Sequence, residues 1–301
     1  MKEHIKFINS YLSLNYPFFK DSLKKQKNLF GIRWERHFDK ELEIFYQGNF
    51  KKLQIALDGY CSFALEGMKL QVKFNETREY DHKTYEDASL EVYQNENYML
   101  NLYLPGIYLS HFLWKHHYEQ QLFFQNFFLK KYTDPKKDSL FYDIGIGTGF
   151  YSKEMLKNLP KAKGQGFDLS PHSIKHTKYM LEKFNLYNRY RLNKVDIIKK
   201  TPTIQCDYII CIEVLEHLEN PQIFLDHLFK MLKKNGTGLI SAAINAPNAD
   251  HIYLYRNYID VKIQIEKAGF VVKDFIKDKA YEPRNSNDLV PVNAAFIILK
   301  R

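Results

Sequence analysis

Four acidic side chains and a run of glycines carry the clearest chemistry in this sequence. Asp143 precedes Gly145, Gly147 and Gly149 in the stretch LFYDIGIGTGFY; Asp168 follows in FDLSPHSI, Asp196 in VDI, and Glu213 in EVLEHLENP. Glycine at every second place lets the backbone turn tightly and lie against a ligand, because no Cβ intrudes. A helix starting directly afterwards turns its unpaired N–H groups toward the same spot. The dinucleotide fingerprint G-x-G-x-x-G does not fit, since its sixth place is Phe150, and no Gly-Lys-Ser/Thr completes a phosphate loop. A carboxylate at Asp143 would repel a pyrophosphate and suit a cationic ligand.

The histidines supply candidate bases. His217 lies four residues after Glu213, and His251 follows Asp250 in the loop NAPNADHIYLYR, beside Tyr253 and Tyr255. His111, His116 and His117 lie in an aromatic stretch with Trp114 and Tyr118. No i, i+4 histidine pair exists there, because Lys115 and Gln120 occupy those places. No metal site is therefore expected, and this stretch reads as a packed helix lending one or two polar groups to a pocket. The three cysteines, Cys61, Cys206 and Cys211, lack C-x-x-C spacing, which supports neither zinc nor a disulfide framework.

Elements that would position these residues alternate from 138 onward. Strands are expected at 140–144, 163–168, 190–195, 206–212, 237–244, 270–275 and 294–299. Helices are expected from Gly149, after the N-cap Ser170 with Pro171 at the first helical place, over 221–233 and over 256–268. Such alternation implies a parallel sheet covered by helices on both faces, with ligands at the carboxyl ends of the strands. Asp143, Asp168, Asp196 and Glu213 each follow one of four successive strands.

Residues 1–137 read differently. Helices are expected over 3–15 and from Asn49 to about Lys73, where Leu53, Leu57, Tyr60, Ala64 and Met68 recur at helical spacing; Gly59 and Gly67 weaken that pattern. Residues 18–47 are helical or loop. The polar run 75–97 reads as a long connection or mobile segment. Pro105–Gly106 signals a turn, followed by an aromatic helix from about Ser110 to Lys130. Tyr and Phe number 22 and 23, which together with the clustering before residue 130 suggests an aromatic-lined interior.

Net charge is +9, with 20 basic and 17 acidic residues in 1–137 and 24 and 18 in 138–301. Nucleic-acid binders concentrate charge in a patch or stripe, so this spread makes a nucleic-acid partner an unfavoured expectation. No run of about 18 apolar residues could span a membrane. The N-terminal residues mix charge into an amphipathic pattern without a signal-peptide core, and the cytoplasm is the expected location. The oligomeric state is left open.

The ordered motifs resemble class I S-adenosylmethionine (SAM)-dependent methyltransferases of the small-molecule type, over about 138–301. DIGIGTG fits their first motif, D/E-x-G-x-G-x-G; FDLSPHSI resembles the acidic second motif, VDI the adenine-side motif, EVLEHLENP the segment after strand four and IEKAGFVV the approach to strand six. The resemblance implies a Rossmann-like α/β fold with a seven-stranded, mostly parallel sheet whose last strand is antiparallel. SAM is the implied cofactor, with Asp143, Gly145, Gly147 and Gly149 around its methionine part, Asp168 and Leu169 at the ribose, Asp196 and Ile197 at the adenine, and Glu213 beside them. The resemblance does not extend to residues 1–137, which are expected to form a mainly helical cap over an apolar or aromatic small-molecule acceptor. His251, His217 and His117, with His116 behind them, are the candidate bases or substrate contacts. The N/D-P-P-Y/F motif of amine-directed nucleic-acid enzymes is absent, because Ile212–Glu213–Val214–Leu215 stands in its place. Modification of RNA or protein, and SAM binding without transfer, stay as alternatives.

Overall fold

The computed structural model describes residues 3–81, 84–283 and 285–301. Seven strands form one sheet: β1 (Leu140–Ile144), β2 (Lys163–Asp168), β3 (Tyr190–Lys194), β4 (Cys206–Cys211), β5 (Leu232–Ile244), β6 (Val271–Lys279) and β7 (Val292–Leu299). Their order is β3-β2-β1-β4-β5-β7-β6. All pairings are parallel except those of β7, which runs antiparallel to β5 and β6. The expected architecture is therefore the observed one. Strand order reverses between β1 and β4, so the connections leaving their carboxyl ends diverge and open a crevice.

Local chemistry explains how the loops enter that crevice. Gly145, Gly147 and Gly149 all adopt positive φ (71°, 49° and 75°), which a side chain would resist. Gly149 caps the helix Phe150–Asn158, and Ser170 caps Pro171–Lys183 by accepting the N–H groups of His172 and Ser173.

The helical half contains α1 (Glu3–Asn15), α2 (Ser22–Tyr46), α3 (Phe50–Thr77), α4 (Leu104–Leu113) and α5 (Lys115–Phe123). It shares one apolar core with a face of the sheet: Phe38, Phe112 and Phe128 belong to the same cluster as Phe141, Phe150 and Ile297. A second core lies on the other face around Tyr142, Leu225, Leu228 and Ile265.

Three local expectations are corrected. Pro105 and Gly106 are not a turn but lie at the start of α4, directly after the wide helical turn Met99–Tyr103, so the chain stays helical through the proline; Gly106 is small because a Cβ there would stand 2.9 Å from that of Phe63. The aromatic helix is not continuous over 110–130. Trp114 is extended (φ −105°, ψ 129°) and separates α4 from α5. The carbonyls freed at the break are taken by α2, through Gln26 Nε2 to Leu113 (2.7 Å) and Trp34 Nε1 to Phe112 (2.8 Å). The stretch 75–97 is largely helical: α3 runs on to Thr77, and helical turns cover Tyr85–Ala88 and Ser89–Tyr93. Residues 82 and 83 of that stretch lie outside the described residues. Gly59 does not break α3, because its missing side chain admits the backbone of Asn101, whose oxygen would stand 2.2 Å from a Cβ.

Candidate active site

A cavity of about 890 Å³ begins at the carboxyl ends of β1, β2 and β4 and continues into the helical half. Asp143, Gly145, Gly147, Asp168, Leu169, Asp196, Ile197 and Glu213 all line it. Gly149 does not. A Cβ there would meet Thr177 at 2.6 Å, so this glycine serves helix packing and the left-handed cap.

Asp168 organises the cofactor end. Its Oδ2 accepts the N–H of Gly147 (3.1 Å) and its Oδ1 that of Ser170 (2.8 Å), which ties the glycine loop to the start of the next helix. Burial raises its carboxyl to about 6, against the pull of those amides. Each carboxylate oxygen has a further lone pair, so ribose hydroxyls can still be accepted. Asp196 accepts the N–H of Ile198 (2.9 Å) beside the buried Ile197, and the half-exposed Leu169 stands at the rim. Asp143 is committed inward: its Oδ2 accepts the hydroxyl of Ser152 (2.6 Å), which in turn meets the Tyr190 hydroxyl. Burial pushes its carboxyl up to about 7. Its evident work is to hold the glycine loop against the following helix.

At the end of β4, Glu213 has φ 53°, an uncommon conformation for a residue with a side chain. Ser241 holds it twice, accepting its N–H (3.1 Å) and donating to its Oε1 (2.6 Å). Glu216 follows, fully buried, with its carboxyl group alongside that of Glu213. Burial raises Glu216 to about 7 and, with Glu216 alongside, lifts Glu213 well above the carboxylate range.

His217 and His251 complete this corner. Nδ1 of His217 lies 3.0 Å from the Tyr93 hydroxyl and 3.2 Å from Oδ2 of Asp250. Burial would lower the imidazolium, but Asp250 and Glu216 outweigh it and raise His217 to about 9. Nδ1 of His251 meets the carbonyl of Ala246, which can only accept, so this nitrogen carries the hydrogen and Nε2 keeps a lone pair. Burial lowers His251 to about 4. One ligand atom each from Glu216, His217 and His251 lies within 4.8 Å of the others. Two imidazole rings oriented from behind by oxygen atoms and a buried carboxyl group are donor types that suit a divalent cation such as zinc or manganese. The sequence pattern assembles no such set, because 34 residues separate His217 from His251 and Glu216 hides in the turn after β4. Spacing alone would flag Glu213, Glu216 and His217 as one turn of acids and histidine after a strand.

His117 lies elsewhere. Its Nδ1 pairs with Ser110 Oγ (2.7 Å), burial lowers it to about 3, and its ring joins those of His116 and Trp114 on the wall of the cavity. Tyr93 and Tyr85 were not legible as site residues. The stretch carrying them folds onto the motifs, where Tyr93 donates to Asp250 (3.0 Å), the Tyr85 N–H reaches Glu219 (2.8 Å) and Ser170 Oγ donates to the Tyr93 carbonyl (3.2 Å).

Residues 142–237 match the family described as a methyltransferase domain. Among curated proteins, the ubiquinone biosynthesis O-methyltransferase of Psychrobacter cryohalolentis is 30% identical over 109 residues, covering 36% of this chain and 42% of that protein. The protein of the same name from Pelagibacter ubique is 26% identical over 136 residues, covering 45% and 55%. The chain thus spans about half the length of these relatives. Among solved structures, Haemonchus contortus phosphoethanolamine N-methyltransferase 2 in complex with S-adenosyl-L-methionine superposes with a TM-score of 0.52 at 14% identity, covering 72% of this chain and 60% of that one, a likeness of fold. No helix among the described residues is long and apolar enough to cross a membrane.

Proposed function

We propose that this chain, which carries a class I SAM-dependent methyltransferase domain, transfers the methyl group of SAM to a hydroxyl oxygen of an apolar or aromatic small molecule. The carrying observation is the single cavity that joins the glycine loop and Asp168 to an aromatic wall in the helical half, so that a cofactor and an acceptor can share it. O-methylation is supported by the names of the curated relatives over the central segment.

SAM supplies a methyl group already activated on sulfonium, so the protein must align the acceptor and exclude water. Gly145 and Gly147 let the backbone approach the methionine part; Asp168 takes the ribose, and Asp196 with Ile197 the adenine. Tyr93 and the helical turns around it lie over Asp250 and Ser170 and screen the reacting centre. A divalent cation held by Glu216, His217 and His251 would polarise an acceptor hydroxyl. Asp250 holds His217 in the tautomer that presents Nε2 toward the cavity. The buried, free thiols of Cys61, Cys206 and Cys211 suit a reducing compartment such as the cytoplasm.

Calorimetric titration with SAM tests the reading. One site per chain is expected, and a protein that takes up no SAM would sink it.

A further inference from the structure

At about 890 Å³ the cavity lies toward the upper end of the range for small-molecule pockets, about 300 to about 1,000 Å³, and its lining extends well past the cofactor loop. Beyond the glycine loop it follows a row of aromatic rings. Phe150, the residue after the loop, stacks on His111 with centroids 4.2 Å apart, and His111 adjoins His117 at 5.9 Å. His117 meets Trp114 at 4.9 Å, and Trp114 meets Tyr60 at 6.4 Å and Phe63 at 5.8 Å. Tyr60 adjoins Phe19 at 5.9 Å, and Phe19 adjoins Phe18, which is 67% exposed. All of these side chains line the cavity, so the rings mark a passage from the cofactor loop to the surface of α1–α3.

The inner part of this passage holds unused hydrogen-bonding capacity. His111 Nδ1, His116 Nδ1, Gln120 Oε1 and Asn293 Nδ2 are buried without a partner among the described residues, and each of these residues lines the cavity. Gln120 is held in place by its Nε2, which donates to the Tyr151 hydroxyl at 3.1 Å. Asn293 pairs across β6 and β7 with Asp278, the carboxylate that binds Lys115. Buried polar atoms without partners are costly, and a ligand bearing hydroxyl or carbonyl groups would satisfy them.

Charge narrows the ligand. Asp168, Asp196, Glu213 and Glu216 line the cavity at its cofactor end. Of the lysines that line it, Lys115 is paired with Asp278 and Lys25 stands exposed at the outer end. Burial holds His111 and His116 well below their usual range and hence uncharged. Among the described residues that line the cavity around His111, His116, Gln120 and Asn293, the one cation is Lys115, which Asp278 already neutralises, so a carboxylate or phosphate there would be poorly compensated.

We propose that the helical half is a passage for an acceptor with an uncharged, hydrogen-bonding head and a long apolar tail. The head sits among His111, His116, Gln120 and Asn293, and the tail runs past Tyr60 and Phe63 toward Phe18. This rests on the reading of the cavity as a methyltransferase acceptor site.

Gallic acid and its methyl, propyl and octyl esters test it, because they share one hydroxylated ring and differ in charge and tail. Binding is measured by calorimetry and by quenching of tryptophan emission, to which Trp114 and Trp34 both contribute, with SAM titrated in parallel. Methyl gallate should bind at least tenfold more tightly than the carboxylate of gallic acid. From propyl to octyl gallate the affinity should rise at least about thirtyfold, a fraction of the nearly fourfold per buried methylene that full burial would give. Gly67 lines the passage, and a Cβ there meets nothing within 4 Å, so the backbone admits a side chain and Gly67→Phe serves to narrow it. That variant should lose at least tenfold in octyl gallate affinity and keep propyl gallate and SAM binding. Equal affinity for propyl and octyl esters, equal affinity for the acid and its methyl ester, no binding of any ester, or an unaltered octyl affinity in Gly67→Phe would each overturn the proposal. SAM binding without tail dependence would overturn the passage alone; tail dependence without SAM binding would overturn the proposed function alone.

Discussion

Asp168 accepts the amide hydrogen of Gly147 through one carboxylate oxygen, at 3.1 Å, and that of Ser170 through the other, at 2.8 Å. The acid at the end of β2 and the glycine loop after β1 are therefore one mechanical unit, and the residue that would bind ribose also shapes the loop beside it. Asp168→Ala should remove both acceptors, cost roughly 1–3 kcal/mol in urea denaturation of the ligand-free protein, and weaken SAM at least tenfold by calorimetry. Asp168→Asn, which keeps one acceptor oxygen, should fall between. A variant that loses SAM with unchanged stability would separate the two roles.

Gly145 and Gly147 should respond differently to alanine. Both have positive φ, so each alanine carries a backbone cost of roughly 1–2 kcal/mol. At Gly145 the new Cβ would also stand 2.5 Å from Val214 Cγ2, whereas at Gly147 it meets nothing within 4 Å. Gly145→Ala should unfold at clearly lower temperature. Gly147→Ala should lose only that backbone contribution in stability yet also lose SAM affinity, because the methyl group would stand on the cavity side of the loop. Thermal unfolding with and without SAM distinguishes them.

Glu216 is the residue whose replacement separates cation binding from SAM binding. Glu216→Gln keeps the shape and removes the charge that faces His217 and His251. Manganese or zinc added to metal-free wild type should raise its unfolding temperature, and the same addition to Glu216→Gln should not. SAM affinity should change less than threefold in the variant. Equal stabilisation of both proteins by metal would remove Glu216 from the cation site.

The sheet and the cofactor end were legible because their signals are local. An acid after an apolar run marks a strand's carboxyl end, and a glycine loop before a helix marks the ligand loop. The helical half was less legible for the opposite reason. Polarity hides helical turns in 85–103, which are held by partners far away in sequence at Ser170, His217 and Glu219. Pro105–Gly106 reads as a turn unless one knows that Phe63 needs the space. Glu216, His217 and His251 become a group only when the loop after β5 folds back, with Ile252 and Tyr253 N–H groups on the Glu216 carbonyl.

The two halves are joined by a buried charge cluster whose removal should be felt in folding and in its acid dependence. Lys153, fully buried on Phe150–Asn158, pairs with Glu41 of α2 and with Glu154 at 3.0 Å; Tyr108 of α4 also donates to Glu41, at 3.1 Å. Lys153→Met would leave the buried Glu41 without its cation and Glu154 with Lys157 alone, and loss of one side of such a pair costs about 3–5 kcal/mol. Because the same helix starts at the glycine loop, this variant should also bind SAM more weakly. Burial alone would raise Glu154, but Lys153 and then Lys157 outweigh it and hold the carboxyl down at about 2. A folded-state value below the unfolded one stabilises the protein at pH above the unfolded carboxyl range, and that contribution fades as pH falls from about 4.5 toward about 2. Urea denaturation between pH 6 and pH 3 should therefore show wild type losing stability faster than Glu154→Gln, which has no proton to take up there. Parallel slopes in the two proteins would mean that the cluster does not govern acid unfolding.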